Sequence, residues 1–203
     1  MKFHLDTAEI YVPDNTPVEE ALGRTTHLCI AAHQDDIEIM SAQPIIECFQ
    51  QKDKWFTGVV MTDGRGSPRD ALYAEYSDDD MRLVRFKEQR KAAYVGEFSA
   101  QVMLDMPSKI IKDVSRNEPV EDLVALLQAT KPQVVYTHNL ADKHDTHVGV
   151  ALRVISALRK LDQAERPERV VGCEVWRALD WMVDPDKVLM NVSDHENLQF
   201  ALL

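Results

Sequence analysis

Six short apolar runs punctuate the chain, and segments with helical spacing separate the first five. The runs are HLCIAA (27–32), WFTGVVMT (55–62), AQVMLDM (100–106), QVVYT (133–137), RVVGCEVW (169–176) and KVLMNV (187–192). Between them, residues 37–51, 81–95, 119–130 and 147–161 repeat apolar residues every three or four positions. Near-continuous apolar strands alternating with amphipathic helices predict a mostly parallel sheet buried on both faces. The fold class that follows is α/β, a Rossmann-like three-layer sandwich with helices on both faces. At 203 residues this is one domain, 1–203, with residues 1–27 as an N-terminal extension. The closing SDHENLQFALL puts Ser193 and Glu196 in capping-box spacing before only two helical turns, as if the chain were shortened there. Pro44 is expected to kink or interrupt the helix over 37–51.

A formal net charge of −11 excludes nucleic acid and anionic membrane as main partners, since either needs a basic face. No run reaches the length of a membrane span, and the first residues lack a signal-peptide core. Cys29, Cys48 and Cys173 are odd in number and widely spaced, which reads as buried thiols in a reducing, cytoplasmic setting. A homo-oligomer is compatible with all of this.

Polar residues gather where such strands end. His33-Gln34-Asp35-Asp36 follows the first run, Asp63-Gly64-Arg65-Gly66 the second, and His138-Asn139 through His147 the fourth. Ligands of open α/β sheets bind outside the carboxyl ends of the strands, so these distant segments converge, with four of the seven histidines. Asp35, Asp36 and Glu38 lie within four positions and repel one another unless a cation sits among them. His33 and Asp36 at a strand-to-helix turn, joined by the His144/His147 pair, can supply three ligands and leave a position open for water. Such a donor set suits Zn²⁺, with Fe²⁺, Mn²⁺ and Co²⁺ as alternatives. Taken singly, each segment is equally an acidic helix start or a capped loop. Competing signatures fail: only one His-x-Thr element is present, no Walker loop or GxGxxG occurs, and no serine sits in a nucleophile elbow.

Ala32-His33-Gln34-Asp35-Asp36-Ile37 and His144-Asp145-Thr146-His147 resemble the AHPDDE and HPDH motifs of the PIG-L / LmbE-like zinc-dependent N-deacetylases. VVMTDG, VRFKEQRKAA and KPQVVYTHN follow the same family in order, so the likeness covers residues 26–160. The resemblance implies His33, Asp36 and His147 as metal ligands, Asp35 as general base and His144 as general acid or electrophile. It further implies removal of acetyl from an N-acetylglucosamine-type conjugate, a small-molecule partner. Departures are Gln34 for the family proline, Ile37 for its glutamate, and Asp145-Thr146 for Pro-Asp; Asp145 or Asp142 then takes over the orientation of a histidine. Asp63, Arg65, Arg85, His138 and Asn139 are candidates for substrate binding, the two arginines toward a phosphate or hydroxyl. Trp176, Arg177 and Trp181 form a candidate aromatic wall. The alternatives are a zinc amidohydrolase of a non-sugar amide, or a catalytically impaired metal-binding protein of this fold.

Overall fold

The computed structural model describes all 203 residues. Six strands form one sheet: β1 (Glu9–Tyr11), β2 (His27–Ala31), β3 (Phe56–Thr62), β4 (Ala100–Met106), β5 (Val134–His138) and β6 (Arg169–Cys173). Their spatial order is β1-β4-β3-β2-β5-β6, with β1 antiparallel to β4 and every other pair parallel. The chain builds outward from β2 through β3 to β4, then crosses back to add β5 and β6 on the other side. The reversal opens a crevice between the carboxyl ends of β2 and β5, where α/β sheets bind their ligands.

Strand alternation sorts the apolar residues into two cores. Leu28, Ile30, Val59, Met61, Val102 and Leu104 face α1 (Val18–Gly23), α6 (Glu118–Thr130) and α7 (Asp145–Lys160). Cys29, Ala31, Phe56, Val60 and Tyr136 face α2 (Asp36–Met40), α3 (Ala42–Cys48), α4 (Asp78–Val95) and α8 (Glu196–Leu202). A short α5 (Ser108–Lys112), absent from the sequence reading, follows β4 and adds Ile111 to the first core.

Several expectations shift. The helix over 37–51 breaks at Ser41 rather than at Pro44: Ser41 has φ −121° and donates its hydroxyl to Cys29 Sγ at 3.0 Å. Pro44 then falls in the first turn of α3, where a missing N–H costs nothing. Ser77 and Asp80 cap α4 reciprocally, so two acids of the Asp78–Asp80 run are left to meet other partners. The segment 187–192 is no strand; Val188 and Leu189 are exposed, because no neighbouring strand is there to satisfy the backbone. The box expected at Ser193 and Glu196 does not form, since Ser193 donates to Asn191 Oδ1 at 2.6 Å and His195 precedes α8 at φ 55°. The helix still docks, with Leu198 and Leu202 buried in the second core. Within 1–27, residues 9–11 extend the sheet itself.

Candidate active site

Helical spacing explains why His147 turns inward. It lies in the first turn of α7, on the stripe continued by Val150, Ala151 and Val154, and is fully buried. Before it, Asp142 accepts the His144 N–H at 2.8 Å through Oδ1 and faces His147 Nδ1 at 3.0 Å through Oδ2. That carboxylate accepts a hydrogen bond from Nδ1–H, which leaves the Nε2 lone pair directed at the crevice.

The β2 loop supplies the other donors. Asp35 stands at φ 88°, a sparsely populated conformation for a residue with a side chain. Arg85 holds the turn by bonding the Gln34 carbonyl and the Asp35 carboxylate, the latter at 3.0 Å. The turn sends neighbouring carboxylates opposite ways: Asp35 is exposed, whereas Asp36 is buried and accepts the His33 N–H at 2.7 Å. Gly64, at φ 68°, makes room for Gln34, whose Oε1 would collide with a Cβ there.

Three donor atoms converge. His33 Nδ1 lies 3.2 Å from His147 Nε2 and 3.3 Å from Asp36 Oδ2, and the last two are 3.4 Å apart. Ligands about 2.0–2.1 Å from a tetrahedral ion are separated by about 3.3–3.4 Å, so the donor set fits a zinc-sized cation. A second cluster, His138, Asp142 and His147, fits less well. His138 Nε2 accepts the Ala32 N–H at 2.9 Å, which puts the proton on Nδ1, and the His147 Nδ1 proton already faces Asp142. His138 instead stacks beneath His147, ring centroids 4.0 Å apart, with its Nδ1 buried and unpartnered.

Burial alone would raise the Asp36 pKa, but the imidazoles around it, His138 and His33 foremost, outweigh it and hold the carboxyl far below its ordinary range. Burial lowers His147 to about 4, so its ring is a neutral donor at physiological pH. His144 is lowered too, by burial and then by His33. Asp35 is raised by desolvation against the pull of Arg85. Burial drives Glu38, bonded to Gln89 at 2.7 Å, up to about 7.

The trio opens into a cleft of about 510 Å³ lined by Asp35, Asp63, Arg85, His144 and Trp176, among others. Arg65 lies behind this wall, paired with Asp63 at 3.2 Å and with Asp79. Of the other residues singled out for substrate, His138 is under the trio, and Asn139 lines the neighbouring groove beside β6, against Gly172. Lys112 of α5, which the sequence did not bring forward, reaches the rim and bonds Asp145 at 2.8 Å. No helix is long and apolar enough to cross a membrane.

Among solved structures, a conserved protein from Thermus thermophilus superposes with TM-score 0.63 at 18% identity, over 88% of this chain and 77% of that one. The N,N'-diacetylchitobiose deacetylase of Pyrococcus horikoshii gives TM-score 0.64 at 16% identity, over 88% and 68%. A 4-carboxy-2-hydroxymuconate hydratase from Pseudomonas putida gives 0.58 at 17%, over 73% and 62%. These likenesses are of fold, and chains of this fold host both deacetylation and hydration. No curated protein matches significantly in sequence. The family model for PIG-L, the GlcNAc-PI de-N-acetylases, matches residues 28–158, more than half of the chain and every strand-end cluster described above. The chain belongs to the PIG-L de-N-acetylase family.

Proposed function

We propose that the chain is a metal-dependent hydrolase that removes acetyl from an N-acetylated amino sugar of the glucosamine type. The observation that carries this reading is the trio of donor atoms 3.2–3.4 Å apart at the floor of the cleft, within the family match. His33, Asp36 and His147 would hold the ion, with Zn²⁺ the metal best suited to the set. A divalent metal held there supplies Lewis acidity, easing ionisation of water and polarising an amide carbonyl.

The remaining chemistry falls to this chain's side chains. Asp35, exposed to the cleft beside the ligand Asp36, takes a proton from the attacking water. Its raised pKa suits the return of that proton to the amide nitrogen as the C–N bond breaks, giving acetate and an amine. His144 caps α7 and accepts the Thr146 N–H at 3.2 Å through Nδ1, which leaves the proton on Nε2. With Thr146 where the family has an aspartate, His144 has no carboxylate within hydrogen-bond reach of Nδ1; Asp145 is 3.6 Å away. It therefore serves as a neutral donor to the developing oxyanion rather than as an imidazolium acid.

Acetate release from methyl N-acetylglucosaminide, with and without chelator, tests the reading. Release abolished by chelator and restored by zinc is the expected result. Release indifferent to the chelator, or none from any N-acetyl sugar, overturns it; turnover of a non-sugar amide alone would transfer the activity to that substrate class.

A further inference from the structure

Trp176 has a place in the cleft that the chemistry above does not use. It follows β6 in a turn braced by Glu174, whose buried carboxylate accepts the Leu179 N–H at 2.7 Å. Its indole is half exposed and lies nearly parallel to the His144 and His147 rings, with centroids 6.4 and 6.0 Å away. Lys143 Nζ sits 4.7 Å from the ring centroid and adds to its fixed position. An indole this close to the donor trio is within reach of any small molecule whose amide is held there. Its π face is electron-rich and meets polarised C–H bonds favourably, as the flat face of a pyranose presents them.

The charges around the indole narrow the ligand further. Arg85 and Lys112 are the two lysine or arginine side chains in the cleft lining, and both are engaged. Arg85 bonds Asp35 and Glu88, at 3.0 and 3.3 Å, and Lys112 bonds Asp145 at 2.8 Å. Arg65, behind Asp63, is held by two acids. Recognition of a phosphate asks for a free guanidinium or ammonium; neither lining base is free, and Lys143, which has no acid partner, lies over the indole rather than in the lining. Carboxylates, by contrast, accept hydroxyl protons from a neutral sugar.

We infer that Trp176 is a specificity-determining platform for the C–H face of an uncharged N-acetyl pyranoside, and that the cleft discriminates against phosphorylated conjugates. The inference rests on the deacetylase reading for the identity of the acyl group, so binding and turnover are measured separately. Calorimetric titration of metal-loaded protein carrying Asp35→Asn throughout, so that turnover is slowed, compares methyl N-acetylglucosaminide with N-acetylglucosamine 1-phosphate. With Trp176 in place the protein should bind the neutral sugar about tenfold more tightly than the phosphate, Trp176→Ala should lose about tenfold for the neutral sugar, and Trp176→Phe should recover most of it. Equal affinities with Trp176 in place and with Trp176→Ala overturn the platform. Tighter binding of the phosphate overturns the discrimination, and no binding of either sugar overturns both. Intact, Trp176-dependent binding without acetate release by the protein that keeps Asp35 faults the deacetylase reading and leaves the platform standing.

Discussion

Two sets of charges, one around the cleft and one at its floor, are built on opposite plans. Around the rim, acids meet bases: Arg65 with Asp63 and Asp79, Arg69 with Asp78, Arg85 with Asp35 and Glu88, Lys112 with Asp145. At the floor, Asp36 is buried and pairs with no lysine or arginine, only with the imidazoles of His33, His138 and His147. Exposed pairs in water are worth about 0–1 kcal/mol each and can be lost cheaply. A desolvated carboxylate among imidazoles, with no lysine or arginine beside it, has no such neutrality of its own and calls for a cation. The rim is self-sufficient; the floor is incomplete by itself.

The contrast can be broken hardest at the floor. Asp36→Ala or His147→Ala should each take the zinc content of purified protein from about one ion per chain to near none. Its neighbour in sequence should behave differently: Asp35→Asn keeps the metal and loses turnover by roughly 10²–10⁴-fold. Elemental analysis beside acetate release separates the two, and full activity in Asp35→Asn would refute the assignment of the base. One step out, Asp142→Asn should weaken metal affinity by roughly 10–100-fold, measured by competition with a chromophoric chelator, because the His147 tautomer is then no longer imposed. Least of all, Arg69→Ala should change stability by about 1 kcal/mol or less in urea unfolding and leave metal content alone. A large loss there would mean that the rim is structural after all.

The parallel strands were legible because strands covered on both faces read as unbroken apolar runs. The same signal misled at 187–192, where an apolar run lies on the surface without a strand to pair with. The break at Ser41 was hidden because it depends on a contact with Cys29 from another element. At the site, strand ends alone brought His33 and Asp36 to the His144/His147 pair, and the family resemblance singled out His147. The fate of the arginines could not be read in this way: Arg85 finds Asp35 fifty positions away, and Arg65 finds Asp79 at fourteen. Spacing in one dimension says little about such pairings. Asp142 was half visible, since its proximity to His144 and His147 was apparent while its bond to Nδ1 was not.

His33 and His147 are 114 positions apart and meet only because β2 and β5 lie side by side. A chain that has formed β2, β3 and β4 but not yet docked β5 offers half a coordination shell. An ion held there would therefore act as a late latch on folding, rewarding the crossover that closes the sheet. Bound at a hundred times its dissociation constant, a ligand selective for the native state adds about 2.7 kcal/mol to stability. Metal supply and the lifetime of the folded chain would in this way be coupled through a single strand pairing.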